Sequence, residues 1–396
     1  MGINEHETFT AEGSSKQYRL HTISLHGSEP DDEAVISCIL AANLIPLLPD
    51  PLPCPTKKYE HPAVRVLQTE HKGAGLFALQ DIPTGQVLLV EYPALILPAG
   101  KFSREVYDEL GARLPEKRRE ELMSMANARS KEECPSYVEG IVRTNALQLE
   151  LDPKGRLPEE EKEFYGGVYP YINRANHSCG PNAMVKWDPA RFVTTFYSIR
   201  DISAGEEIVK TYVNPALPRQ TRLDILEKNY RFTCDCPWCN VGHSTPHELA
   251  QIAASDRDRA LLGTWIFTHP GYKKWCRDLA RADDVVISSY LEALSLSEKE
   301  GMHGLQNLFV EEIAMCYSAL GDLDAFQKWA KKTIQLTKVE DPVRAARFEE
   351  WLVDPPKKMK QWGWRKTQRE LSEKRSKKGV SEIIVVDLSD MLGFPE

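Results

Sequence analysis

Cys234-Asp235-Cys236-Pro237-Trp238-Cys239 puts three thiols within six residues. When the backbone turns, three sulfurs at that spacing converge on one ion, and zinc favours thiolate in a tetrahedron of four ligands. The fourth ligand must come from elsewhere in the chain, and Cys179, His243 and His247 are the candidates. Disulfides are the competing use of cysteine. Nine cysteines in 396 residues are too sparse for a disulfide scaffold, and no secretory leader is visible at the N-terminus. A reducing compartment, cytoplasmic and/or nuclear, is therefore expected, where clustered thiols read as metal ligands.

The length suggests two or three structural units. Residues 1–61 read as a mobile N-terminal segment and a Pro-rich linker. The first 30 residues are polar, Ala34 to Ile45 reads as a short helix, and Pro46, Pro49, Pro51, Pro53 and Pro55 enforce an extended path. A β-rich domain with helical inserts is expected over residues 62–240. Val64 to Leu67, Leu76 to Leu79, Val87 to Val90, Ala183 to Trp187, Phe192 to Ile199 and Ile208 to Val213 read as strands. Ser103 to Arg129 reads as helix broken at Pro115, with Leu110, Leu114, Leu122 and Met125 facing a core, and Tyr137 to Leu149 as a second helix. Asp81-Ile82-Pro83-Thr84-Gly85 echoes Asp201-Ile202-Ser203-Ala204-Gly205, which two similar hairpins explain.

Residues 241–354 carry helical patterning. Leu308, Ile313, Cys316, Tyr317, Leu320, Ala325, Trp329 and Ala330 fit a helical hairpin broken at Gly321-Asp322, which resembles one tetratricopeptide-type pair. Residues 355–396 read as a basic tail, with ten Lys or Arg between positions 357 and 378. The fold class expected is α+β. Fifty Lys+Arg against 58 Asp+Glu give a net charge of −8. That excludes a generally basic nucleic-acid-coating protein. No apolar run approaches the roughly 18 residues a membrane-spanning helix needs.

Asn173-Arg174-Ala175-Asn176-His177-Ser178-Cys179-Gly180-Pro181-Asn182 is the second chemical signal. A histidine between Asn and Ser is, by itself, ordinary structure, and a lone Gly-x-Gly is an ordinary turn. Together with Gly73-Ala74-Gly75, Gly205-Glu206-Glu207-Ile208, Tyr212 and the cysteine triplet, in this order, the string resembles the SET-domain protein lysine methyltransferases, most of all the SMYD-like branch and its fungal relatives. The resemblance covers about residues 62–240. The segment between Val90 and Tyr137 holds only Cys134, so the MYND zinc finger of SMYD proteins is absent and its partner recognition does not carry over.

The resemblance implies a methyl group moved from S-adenosyl-L-methionine to a lysine presented by a protein substrate, and a zinc held by Cys234, Cys236, Cys239 and Cys179. It matches Gly73 and Gly75 to a close backbone approach by the cofactor, and Asn176, His177, Asn145 and Phe232 to further cofactor contacts. Tyr212 matches the catalytic tyrosine and Tyr230 an aromatic wall of the lysine channel. A phenol offers a hydrogen-bonding tip on a rigid apolar body, which can orient an amine without abstracting its proton. The amine must still be neutral to attack, and from a reference pKa of ~10.4 that costs roughly 4.6 kcal/mol at pH 7. The helical region is expected to offer a surface to a protein partner, with no membrane and no nucleic acid involved. The rival reading is a non-catalytic SET-fold scaffold that binds partners through its helices.

Overall fold

The computed structural model describes residues 8–24, 35–48, 59–152 and 154–377. Thirteen strands appear among them: β1 (Thr8–Thr10), β2 (Gln17–Ser24), β3 (Val35–Ala41), β4 (Tyr59–Glu60), β5 (Val64–Thr69), β6 (Gly73–Ala78), β7 (Val87–Glu91), β8 (Leu95–Pro98), β9 (Leu147–Leu149), β10 (Tyr165–Val168), β11 (Ala183–Asp188), β12 (Val193–Ser198) and β13 (Glu207–Ile208). They form sheets in the orders β1-β2-β3-β8-β10-β9, β11-β12-β7-β4 and β13-β6-β5. The chain divides into two compact units. The first comprises residues 1–178, 182–212 and 223–234; the second comprises 179–181, 213–222 and 235–396.

The N-terminal segment corrects the sequence reading. Ala34 to Ile45 is not a helix: Val35–Ala41 is β3, antiparallel to β2 and parallel to β8. Val35, Ile36 and Ile39 are β-branched, which suits a pleated strand. Flanked on both sides, the strand is buried from Ile36 to Ala41. An uninterrupted apolar run carries no period that distinguishes helix from strand. Residues 8–24, expected to be mobile, are β1 and β2, and Tyr18 and Leu20 enter the core. The proline-rich stretch 49–58 lies outside the described residues.

The two echoing segments pair with one another. Ile82 and Ile202 exchange backbone hydrogen bonds of 2.8 and 2.9 Å. Asp201 Oδ1 accepts from Thr84 N at 2.8 Å, and Asp81 Oδ1 accepts from Ala204 N at 2.9 Å. Each aspartate caps the other's turn, so the second hairpin, which leads into β13 and on to Tyr212, is fixed in place. Helices Arg104–Ala112 and Glu116–Met123 meet at Pro115 as expected, with Leu110, Leu114, Leu122 and Met125 all buried. Helix Tyr137–Asn145 ends four residues sooner than expected and passes into β9.

The second unit is helical. Helices Gln306–Leu320 and Leu323–Thr337 form the anticipated hairpin. Gly321 takes φ +70°, a conformation that glycine adopts without strain, and Asp322 caps the next helix by accepting from Ala325 N at 3.0 Å. The expected tail is ordered structure as far as residue 377, ending in helix Trp364–Lys377. Arg365 is fully buried; its guanidinium bonds Asp283 at 2.8 Å and the carbonyl of Trp275 at 2.6 Å. A charge run reads as solvated surface from sequence because nothing local reveals the partners that bury one of its members. Residues 378–396 lie outside the described residues. Among the described residues, no helix is long and apolar enough to cross a membrane.

Candidate active site

A buried carboxylate sets up the loop that carries Asn176 and His177. Glu91, at the end of β7, accepts from the backbone N of Tyr171 at 3.1 Å and of Ile172 at 2.8 Å. Arg118, equally buried, lies 3.5 Å from it and donates to the carbonyl of Tyr92 at 2.6 Å. The short helical turn Ile172–Arg174 is thereby held against the sheet. The chain then runs beside the strand leading to Tyr212. Lys210 N donates to Asn176 O, and Ser178 N donates to Lys210 O, each at 2.9 Å, with His177 and Lys210 forming a parallel bridge.

Four aromatic rings gather there. Tyr212 lies 4.9 Å from Tyr230 and 5.3 Å from His177, and Phe232 lies 6.1 Å from His177 and 6.4 Å from Tyr230, centroid to centroid. Tyr230 ends helix Arg219–Tyr230. Arg231 follows in the left-handed region at φ +60°, a conformation that costs a non-glycine residue about 1–2 kcal/mol. That turn aims Tyr230 and Phe232 at the same place, and an Arg231–Glu133 ion pair accompanies it.

His177 Nδ1 accepts from the backbone N of Tyr212 at 3.0 Å, so a neutral ring carries its proton on Nε2. The Tyr212 hydroxyl donates to Ala175 O at 2.9 Å. Burial pushes its phenol above the ordinary range, and Tyr230 and Glu207 add to the effect. The hydroxyl is neutral at physiological pH, a donor rather than a base.

Gly73 and Gly75 lie within β6, with Gly73 at φ +71°. A Cβ on Gly75 would stand 2.8 Å from Glu207 Oε1 and 3.0 Å from Asn176 Nδ2. Asn176 Nδ2 in turn donates to Glu207 Oε1 at 2.7 Å and to Ala74 O at 3.3 Å. The glycine strand, Asn176 and Glu207 are thus one packed group. Asn145 is tied to its own helix and to the loop of Asn173. Its amide nitrogen donates to Ala126 O and Ile141 O, and its own carbonyl accepts from Asn173 at 2.7 Å.

Sequence reasoning passed over Lys210. It is 6% exposed, and its ammonium sits 4.6 Å above the Tyr212 ring. Burial lowers its pKa from 10.5 to about 7. The strand expected from Ile208 to Val213 is confined to Glu207–Ile208, so the available signal was only that a lysine stands two residues before Tyr212.

The ligand Sγ atoms of Cys179, Cys234, Cys236 and Cys239 all lie within 4.8 Å of one another, and all four residues are buried. Cys179 and Cys239 are 3.5 Å apart. Zinc–sulfur bonds of ~2.3 Å in a tetrahedron require sulfurs roughly 3.8 Å apart, so the donor set fits zinc. His243 and His247 are not among the four. Arg222 Nε points at Cys179 Sγ from 3.3 Å, and Arg219 and Arg259 donate to the carbonyls of Cys239 and Cys179 at 2.9 and 3.1 Å. Four thiolates around one Zn²⁺ would carry a net double negative charge, which these guanidiniums would offset. Sequence reasoning named none of the three. The Trp238 ring occupies the space above Gly180, where a Cβ would be only 2.1 Å from it.

Residues 73–213 match the SET domain. The chain is 28% identical over 209 residues to histone-lysine N-methyltransferase set5 of Schizosaccharomyces pombe, covering 52% of this chain and 60% of that protein. It is 25% identical over 186 residues to N-lysine methyltransferase SMYD2 of Homo sapiens, covering 44% and 40%. It is 32% identical over 101 residues to N-lysine methyltransferase SMYD2-B of Xenopus laevis, covering 25% and 23%. The chain therefore spans 60% or less of the length of these relatives.

Proposed function

With residues 73–213 forming a SET domain, we propose that this protein transfers a methyl group from S-adenosyl-L-methionine to the side-chain amine of a lysine in a protein. The carrying observation is the ring cluster of His177, Tyr212, Tyr230 and Phe232 around the His177–Lys210 bridge, inside or next to the matched segment. Aromatic faces attract cations, and both the donor's sulfonium and an arriving lysine are cationic. S-adenosyl-L-methionine would supply an electrophilic methyl group there. The absence of a Cβ on Gly75, beside Asn176 and Glu207, lets backbone come close to it. Asn176 spends its amide N–H groups within the protein, so its side-chain carbonyl oxygen would be the group that meets the cofactor, beside the His177 ring. Asn145, through Asn173, would act on the loop's position.

Tyr212 would orient the reacting amine with its neutral hydroxyl, and Tyr230 would wall the channel. Zinc at Cys179, Cys234, Cys236 and Cys239 would hold the segment that follows Phe232. The relatives' names, histone-lysine and N-lysine methyltransferase, support a protein lysine as acceptor. Exposed Phe267, Val343 and Val353 support protein binding by the helical unit. Buried Cys38, Cys134, Cys276 and Cys316, which form no disulfide among the described residues, support a cytoplasmic or nuclear location.

The test is methyl-labelled S-adenosyl-L-methionine incubated with a cell extract and either wild type or His177→Ala. Label entering a protein only with the wild type is expected. Cofactor bound by the wild type with no protein labelled would favour the scaffold reading.

A further inference from the structure

Lys210 is the one charged side chain of this cluster with no task in the reaction above. β13 ends at Ile208, and Lys210 follows as an isolated bridge partner of His177. Its backbone is fixed by the two 2.9 Å bonds to Asn176 and Ser178. Nζ is 4.6 Å from the Tyr212 centroid, about a phenol's width from the hydroxyl that orients the substrate. We propose that Lys210 is the general base of this site, accepting the proton that the substrate's ammonium must lose before it can attack. The assignment rests on the methyl-transfer reading.

The other groups around it are committed. Tyr212, two residues on, has a neutral hydroxyl that already donates to Ala175 O. His177, across the parallel bridge, uses Nδ1 to accept from Tyr212 N. Glu207, three residues back, is bonded to Asn176 at 2.7 Å and faces Lys72 at 4.0 Å. Tyr230, at the end of its helix, is also pushed up by burial and stays neutral. Among the described residues, no carboxylate forms an ion pair with Lys210, and desolvation alone perturbs it, bringing its pKa to about 7. A buried amine of that kind is half neutral at physiological pH, which is the condition for an efficient base.

The proton balance closes. The Lys210 lone pair takes a proton from the substrate's ammonium, directly or through one water. The lone pair left on the substrate nitrogen then forms the N–C bond as the C–S bond breaks, and that bond's electrons remain on sulfur. Lys210 returns its proton to solvent.

Two measurements test this. The first is NMR titration of the labelled Lys210 Nζ in the cofactor-free protein, assigned by its loss in Lys210→Met. A midpoint near 7 is expected. The second is the pH profile of single-turnover methylation for wild type, Lys210→Met and Lys210→Arg. The wild-type rate should rise through pH 7. Lys210→Met should be about 100-fold slower at pH 7. It should converge with the wild type near pH ~10, where the substrate lysine loses its own proton to solvent. That convergence also shows that the variant is folded. Lys210→Arg, which stays protonated, should be slow at pH 7 as well. An active enzyme whose Lys210 titrates above pH ~9, or a Lys210→Met deficit equal at every pH, overturns this assignment alone. A wild type that binds S-adenosyl-L-methionine but methylates no protein overturns the proposed function, and this assignment with it.

Discussion

Replacing Tyr212 with phenylalanine removes one hydroxyl and keeps the ring. The ring's neighbours, Tyr230 at 4.9 Å, His177 at 5.3 Å and Lys210 Nζ at 4.6 Å, touch carbon that phenylalanine retains. The loss to folding is the 2.9 Å bond to Ala175 O, worth about 1 kcal/mol. The loss to catalysis is one preorganised hydrogen-bonding oxygen, which accepts from the reacting amine while its own proton stays on Ala175 O. Elsewhere such a loss costs roughly 2.7–4 kcal/mol, or a hundred- to a thousand-fold in rate. The lower end applies here, because methyl transfer spreads charge rather than concentrating it on one oxygen. Single-turnover methylation at saturating cofactor, beside a calorimetric titration of S-adenosyl-L-methionine, separates the two effects. We expect a rate about 100-fold lower with cofactor affinity nearly unchanged. An unchanged rate would remove Tyr212 from the chemistry, and an affinity that falls as far as the rate would make it a binding residue.

Cys179→Ser should lower the zinc affinity of the purified protein by more than about 100-fold, as read by competition with a chromophoric chelator; unchanged affinity would mean that Cys179 is not a ligand. Gly75→Ala puts a methyl group 2.8 Å from Glu207 Oε1; overpacking of that kind costs about 1–3 kcal/mol, so calorimetry should show cofactor binding at least tenfold weaker while the fold survives. Lys210→Met should raise stability. The folded-state pKa of about 7 lies below the ordinary 10.5, so between those values the unfolded chain binds the extra proton and wild-type stability climbs with pH. The variant's advantage in urea melts should be greatest below pH 7, at most roughly 5 kcal/mol, and should vanish above pH ~10.5; an advantage independent of pH would show that Lys210 is not desolvated.

The candidate site was legible as a place because short chemical strings mark it. The cysteine triplet, the Asn-His-Ser-Cys string and Tyr212 each carry their chemistry in residue type and spacing, and the structure brings the named rings and sulfurs together. The helical hairpin was legible through Gly321 and Asp322, whose cap chemistry is local. What failed depended on distant partners. β3 was read as a helix because Val35–Ala41 has no polar face, and only β2 and β8 decide its state. Arg365 was read as solvated because Asp283 and the Trp275 carbonyl that hold it are more than 80 residues away. Lys210 went unnoticed because its character comes from burial, which a residue letter does not state.

The most direct test of the central claim is the position of the transferred methyl group. A protein labelled by the wild type in extract is digested, and its peptides are sequenced by mass spectrometry. The geometry of a ring-lined cluster around Tyr212 predicts the added methyl on a lysine ε-nitrogen, with the label lost when that lysine is changed to arginine in the substrate. A methyl found on arginine, histidine or a carboxylate, or no methyl on any protein from an enzyme that binds S-adenosyl-L-methionine, would contradict it.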